Sequence, residues 1–417
     1  MILVGGREKV KRSQSRILRY NRVSHSMSHR LKILQIISSW GSGVGSELAE
    51  FAARLPREEW ECEICVLAGS NSRRTLDLPT TTLDLRWSVD INTALGVRRI
   101  LRRFRPDVVH TWDFAAQCYG VIHRGPHRII AETRENDLPK GWLQQYLLRK
   151  THRWIVPRQN ETLPATRTTI IPPAAVPVPW AAPMSAEELF AKLDFPLVEP
   201  SGDYYPVFQP QYEPARRNYK PIAPPRTPFV IGIILPLCAE HRILDALWVF
   251  ETLNHVHLNF HALIIGDGKD RELFLRSRDQ WKLSSRVHFL GNRHNDRHLM
   301  GRLLPSLDVL LHLSDSAEHA GTTLSAMSCG VPVIALETPE SREYIVDGIT
   351  GILIPNDGDF RFYRRTAAKK LLYLLENETL RRSMQTAAKE HVATQFDFET
   401  AMRQRIQVYR ELCTPQN

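Results

Sequence analysis

Short apolar runs alternate with segments of helical period along most of the chain. Leu31–Ile37 (LKILQII) is apolar almost throughout, as a strand covered on both faces must be, and it predicts a buried strand. The glycine-bearing turn Gly41-Ser42-Gly43-Val44-Gly45 and a helix over Ser46–Leu55 follow. The pattern repeats with a strand at Cys62–Leu67, a helix near Asn92–Phe104, a strand at Asp107–His110, and apolar stretches at Arg128–Ala131 and Trp154–Val156. It starts again at Phe229–Leu235, with a helix over Leu244–Leu253 and a strand Ala262–Ile265 ending in Gly266-Asp267-Gly268. A helix around Arg271–Trp281, a strand Val287–Phe289, a helix around Arg297–Leu304 and a strand Val309–Leu313 complete the second series. Strands alternating with helices predict an α/β protein of two doubly wound, parallel-sheet (Rossmann-like) domains.

Between the two series the composition changes: 14 of the 27 prolines fall within residues 172–228. Proline fixes the backbone and donates no amide hydrogen, so this stretch forms neither a regular sheet nor a long helix. It reads as a linker with an inserted excursion, either partly disordered or wrapped over a domain surface. The expected organisation is a basic arm at 1–30, a first domain at 31–171, the linker at 172–228, a second domain at 229–395 and a last helix at 396–417 that can return to the first domain. The tail from Arg364 to Cys413 has the arginine-rich spacing of exposed amphipathic helices.

Composition narrows the class. With 417 residues, 43% hydrophobic and 24% charged, the chain is ordinary globular material and long enough for two cores. No run of about 18 apolar residues predicts a membrane span. Of the net charge of +10, residues 1–30 supply eight Lys or Arg against one Glu, so the rest is close to balanced and implies no specific nucleic-acid binding. That opening segment lacks the apolar stretch of a signal peptide. It reads as a solvated arm or as a contact for anionic lipid or RNA, and Met27 is an alternative start. Six scattered cysteines fit a reducing, cytoplasmic location. Cys62 and Cys65 form one CxxC inside a strand pattern and read as buried thiols rather than a redox or metal site.

Two parallel-sheet domains joined by a linker bring the carboxyl ends of their strands to one cleft, where ligands of open sheets bind. The candidate wall is Ser314–Pro332 (SDSAEHAGTTLSAMSCGVP), with a strand end, a polar loop and a helix beginning near Thr322. A helix start offers unpaired amides and partial positive charge to a phosphate, and Thr322, Thr323 and Ser325 add hydroxyls. The basic run Arg98, Arg99, Arg102, Arg103 and Arg105 interleaves with Val97, Ile100, Leu101 and Phe104, so one helix face is apolar and the other cationic. The cationic face reads as solvated or as leaning on an anionic membrane.

The order of segments resembles the group 1 (family four) retaining glycosyltransferases of GT-B fold. Ile264–Leu275 (IIGDGKDRELFL), Arg286–Gly291 (RVHFLG), Leu304–Ser314 (LPSLDVLLHLS), Ala326–Val333 (AMSCGVPV) and Asp347–Pro355 (DGITGILIP) are similar to successive stretches of the family's donor domain. LKILQIISSWGSGVG, PDVVHTWD and TTIIPPAAV resemble its acceptor domain more loosely.

The resemblance implies transfer of a sugar from a nucleotide-diphosphate donor to a glycan or lipid-linked hydroxyl acceptor, with retention, no cofactor and no metal. It also implies a protein peripheral at the inner face of the membrane. The family's two signature glutamates fall on Ala317 and Ser325, with Glu318 one place beyond the first. Its arginine and lysine after the first strand of the second domain fall on Pro236 and His241, with Arg242 adjacent. The implied site is therefore His110 and Glu318 as catalytic groups. Gly43, Gly45, His241, Arg242, Gly321, Thr322, Thr323 and Ser325 would line the diphosphate and nucleoside. Trp112, Asp113 and Glu132 are candidates to contact a sugar or orient its hydroxyls. The alternative, which absence of both signature glutamates and both cations also fits, is a catalytically degenerate relative that serves as a binding or scaffold module.

Overall fold

The computed structural model describes residues 30–414 apart from 41–43, 69–76, 86–89, 124, 134–140, 159–161, 179–182, 186–187, 190, 192–227, 257, 294–295, 316–319 and 357. In the first domain β1 (Leu31–Ile37), α1 (Gly45–Arg54), β2 (Trp60–Val66), β3 (Thr80–Thr82), α2 (Ile91–Phe104) and β4 (Val108–Thr111) come first. They are followed by α3 (Phe114–Ile122), β5 (Arg128–Glu132), α4 (Trp142–Lys150), β6 (Arg153–Val156) and β7 (Thr168–Ile170). Every pairing among these strands is parallel, in the order β3-β2-β1-β4-β5-β6-β7. Alternation along β1 sends Leu34 and Ile36 to the face covered by α2, α3 and α4, and Ile33 and Ile37 to the face covered by α1.

The second domain contains β8 (Phe229–Ile234), α5 (Ile243–His255), β9 (Phe260–Ile265), α6 (Arg271–Gln280), β10 (Val287–Gly291) and α7 (Arg297–Leu303). Then come β11 (Val309–His312), α8 (Ala320–Ser328), β12 (Val333–Leu336), the single turn α9 (Ser341–Tyr344), β13 (Gly351–Ile354), α10 (Phe360–Glu376) and α11 (Glu378–Gln395). Its parallel sheet runs β10-β9-β8-β11-β12-β13. Each strand of the sequence reading is present, shifted by a residue or two at its ends.

The last helix, α12 (Phe398–Cys413), packs on the first domain, not the second. Phe398, Ala401, Met402, Ile406 and Tyr409 join the core of α1, β1 and β2. Asp397 caps it by accepting from the amide of Thr400 at 2.8 Å. The tail is therefore not uniformly exposed: Arg405 is among the largest fully buried side chains of the molecule. In the described parts of the proline-rich stretch Ala174 joins the first domain's core, and Ala175, Met184 and Leu189 join that of the second. There Met184 donates its amide to Ser306 Oγ at 2.7 Å, Leu189 is buried and Ala175 donates to the carbonyl of Phe396 at 3.0 Å. The arm and residues 192–227 lie outside the described residues.

Candidate functional site

In each sheet the chain reverses its winding once, and at that point two loops leave neighbouring strands in opposite directions and open a crevice. In the first sheet the reversal lies between β1 and β4, and in the second between β8 and β11. Arg158, just beyond β6, pairs with Glu340 at 3.1 Å and Glu343 at 2.8 Å, in the segment that follows β12. The carboxyl edges of both sheets are thus held together, and their two crevices belong to one candidate site.

At the second crevice the chain leaves β8 through Leu235–Cys238, makes a 3₁₀ turn at Ala239–His241 and enters α5. Gly266 and Gly268 make this path possible. Gly266 has φ of +148°, and a Cβ there would come within 1.9 Å of the Leu235 carbonyl oxygen; one on Gly268 would come within 2.3 Å of that of Leu237. The two loops touch backbone to backbone, with the Asp270 amide donating to the Leu237 carbonyl at 3.0 Å. Arg242 sits at the junction with φ of +52°, a left-handed conformation that costs a non-glycine residue about 1 kcal/mol or more. Its guanidinium donates to Asp315 Oδ2 at 2.8 Å and lies 4.9 Å from the centre of the Tyr363 ring. His241 Nδ1 is 2.8 Å from Ser314 Oγ. Behind them His312 is wholly buried; burial, then the neighbouring His241, push its pKa down to about 4. The expected binding pair His241 and Arg242 is therefore gathered at the crevice, but facing Ser314 and Asp315.

Gly321, Thr322 and Thr323 lie in the first described turn of α8, and a helix start is where backbone amides lack intrahelical acceptors. Thr322 is partly exposed, whereas Thr323 is buried with its hydroxyl unpaired among the described residues. Ser325, at the position of a signature glutamate, donates its hydroxyl to the Gly321 carbonyl at 2.8 Å and is 3.2 Å from that of Val176. It is buried by the linker, which corrects the expectation that this hydroxyl is offered to a ribose. Glu318 and Gly43 lie outside the described residues. Gly45 opens α1, and a Cβ there would stand 2.6 Å from the carbonyl oxygen of Trp40. The close approach it permits is that of the chain's own backbone.

The first crevice holds the largest departure from expectation. Asp113 bridges its loops, accepting from the Ser38 amide at 2.7 Å and capping α3 at the Ala116 amide at 2.8 Å. His110, however, is fully buried under α12, so it cannot touch a substrate as a catalytic group would. Alternation puts Gln35, His110 and Glu132 on one face of adjacent strands β1, β4 and β5, and Arg405 and Tyr409 of α12 descend on that row. Arg405 donates twice to Glu132, at 3.0 and 2.6 Å, and to Glu47 of α1 at 2.7 Å. Gln35 donates to Tyr409 Oη at 3.2 Å and accepts from Trp112 Nε1 at 2.7 Å. Tyr409 Oη stands 2.6 Å from His110 Nδ1, and His110 Nε2 is 3.4 Å from Glu132 Oε2. Burial disfavours the Glu132 carboxylate, but Arg405 and the contacts from His110 reverse this and hold its pKa well below the usual range. Burial keeps His110 neutral by pushing its pKa down. Trp112 and Glu132 thus belong to an internal clamp and do not face a sugar.

Arg405, Tyr409, Glu47 and Asp315 were not anticipated. The signal for the first two was present: Phe398, Ala401, Met402, Arg405, Ile406 and Tyr409 share one helical stripe, so Arg405 occupies a core position. The buried thiols of Cys62 and Cys65 are pushed up to about 12, chiefly by burial and then by Glu63, which makes them inert.

The profile of the family Glycosyl transferases group 1 matches residues 218–391. The chain is 32% identical over 171 residues to N-acetyl-alpha-D-glucosaminyl L-malate synthase of Bacillus anthracis, covering 41% of this chain and 42% of that one. It is 27% identical over 262 residues to a GDP-mannose-dependent alpha-mannosyltransferase of Mycobacterium tuberculosis, 62% of each. These alignments span less than two thirds of either relative. Among solved structures, Anabaena HepE in complex with UDP-glucose superposes with a TM-score of 0.66 at 16% identity, over 92% of this chain and 100% of that one. At that identity the likeness establishes the GT-B arrangement of two facing parallel-sheet domains.

Proposed function

Residues 218–391 belong to the glycosyl transferases group 1, within a chain of GT-B fold, and on that premise we propose that the protein transfers a sugar from a nucleoside-diphosphate donor to a hydroxyl acceptor. One observation carries the reading: the two winding reversals meet across the domain junction, with Arg242 and the first turn of α8 at the second. As the bond between the anomeric carbon and the diphosphate breaks, negative charge grows on the leaving group. Fixed amides and a guanidinium stabilise that charge without having to reorganise. Arg242 leaves Asp315 for the diphosphate, and Glu318 positions the sugar. The acceptor, a glycan or a lipid-linked hydroxyl, enters from the first domain; its oxygen bonds to the anomeric carbon with retention as the bond to the diphosphate breaks, and its proton passes to an oxygen of the departing diphosphate. Contact of α2 arginines with an anionic membrane belongs to the same reading.

Calorimetry with UDP-, GDP- and ADP-sugars tests it. Binding of one donor below millimolar concentration, with release of its nucleoside diphosphate in the presence of acceptor, is expected. Absence of binding by all three ends the proposal.

A second reading is favoured by the Arg242–Asp315 pair, which neutralises the cation facing the crevice: a binding module that keeps the fold without turnover. Donor binding without any hydrolysis or transfer, unchanged by Glu318→Ala, is its signature.

A further inference from the structure

The opposite edge of the first sheet carries a second concavity. A groove of about 1640 Å³ opens where β1, β4, β5 and β6 begin, between α2 and the end of α12. Six arginines line it: Arg98, Arg102 and Arg105 from α2 and its cap, Arg128 and Arg153 from the first residues of β5 and β6, and Arg167 ahead of β7. The carboxylates on the same wall are Asp107 and Glu411. Asp107 accepts the Lys32 amide at 2.8 Å, and Glu411 pairs with Arg153 at 3.1 Å. Arg98, Arg102, Arg105 and Arg128 have no carboxylate partner among the described residues. Arg103, by contrast, turns away to pair with Glu63, so the cationic side of α2 is divided rather than uniformly outward.

Three histidines complete the lining: His123, His127 and His152. Burial is the main cause that pushes their pKa values down, and nearby arginines add to it at His123 and His152. His127 is 6% exposed, and its Nε2 has no hydrogen-bond partner among the described residues. Its ring lies against Gly125, where a Cβ would come 2.5 Å from Nδ1.

Concentrated like charge of this kind has a matching ligand chemistry. The planar fork of arginine pairs with two oxygens of a phosphate at once, and the groove has room for more than one phosphate. We propose that this groove is a binding site, separate from the interdomain crevice, for the oxygens of a multiply phosphorylated group. The group is either free in solution or displayed as a lipid headgroup. Its headgroup form shares the α2 arginines with the membrane contact proposed above, whereas binding of a free phosphorylated group requires neither that contact nor glycosyl transfer.

The test uses the full chain with inorganic tripolyphosphate in a titration calorimeter. Wild type is expected to bind one equivalent, and the double variant Arg102→Ala, Arg128→Ala to bind roughly 100-fold more weakly, about tenfold per guanidinium removed. Arg382→Ala, an exposed arginine of α11 paired with Glu378 and outside both the groove and the crevice, is expected to leave that affinity within twofold. The titration midpoint of His127, followed by NMR, rises on binding. Vesicles bearing phosphatidylinositol bisphosphate form the second arm, with phosphatidylserine vesicles as control. Capture by the bisphosphate vesicles alone, lost in the double variant, assigns the site to a headgroup. No binding of either probe, equal binding by the folded double variant, or preference for an RNA oligonucleotide overturns the proposal.

Discussion

Arg405 and Arg242 each meet a carboxylate, and their surroundings make the two pairs different in kind. Arg405 is 1% exposed between Glu132 at 4% and Glu47 at 0%, so its charge is held in a dry interior by three charge-assisted hydrogen bonds. Arg242 is 24% exposed against an Asp315 that is 45% exposed, and water screens that pair. A buried pair cannot be taken apart without stranding a charge, whereas an exposed one is worth about 0–1 kcal/mol and its arginine can change partner. The first arrangement can fasten α12 to the first domain, and the second can hand a cation to a ligand.

The comparison breaks most visibly at Arg405. Replacing it by alanine strips two buried carboxylates of their guanidinium, and urea denaturation is expected to show a loss of about 3–5 kcal/mol. A loss below about 1 kcal/mol would mean that the clamp is not closed in solution.

Acid sharpens the same contrast. Burial keeps His261, His288 and His312 neutral, with pKa values pushed down to about 3, 4 and 4. Unfolded, each takes a proton below about pH 6.5. The unfolded chain therefore binds more protons as pH falls from there toward 4, and stability declines by roughly 1.4 kcal/mol per pH unit for each extra proton. Glu132 has the opposite charge but the same sign of effect. Its depressed pKa contributes stability above the ordinary glutamate value of about 4.3, and that is lost as the pH falls below it. The deficit of Arg405→Ala should accordingly be largest at neutral pH and narrow below about pH 4, in urea midpoints measured from pH 7 to 3.

Smaller effects belong to the exposed pair. Arg242→Gly removes the cation and relieves the left-handed strain at once. Donor affinity is expected to fall about tenfold, while the melting free energy moves by less than about 1 kcal/mol. Asp315→Asn, the mildest change, should raise donor affinity a few-fold with stability within about 0.5 kcal/mol. Weaker donor binding in that variant would show that Asp315 serves the ligand directly.

Much of the frame was legible in the chain, because a strand covered on both faces must be apolar over several consecutive residues whatever lies far away. LKILQII, FVIGII and FHALII say so locally, and the glycines of Gly266-Asp267-Gly268 announce a loop that another backbone approaches. The place of His241 and Arg242 beside the β8–β11 reversal followed from the order of segments. The fate of the first-domain polar residues did not. Gln35, His110 and Glu132 interrupt apolar strands in the manner of site residues, and PDVVHTWD alone cannot tell a group awaiting substrate from one already satisfied.

That distinction belongs to α12, whose Arg405 reaches Glu132 across 273 positions of sequence. Alternation and glycine are properties of neighbouring residues and can be read from a string of letters. Burial is a property of whatever comes to rest on top, and for His110 and Glu132 only the return of the last helix determined it.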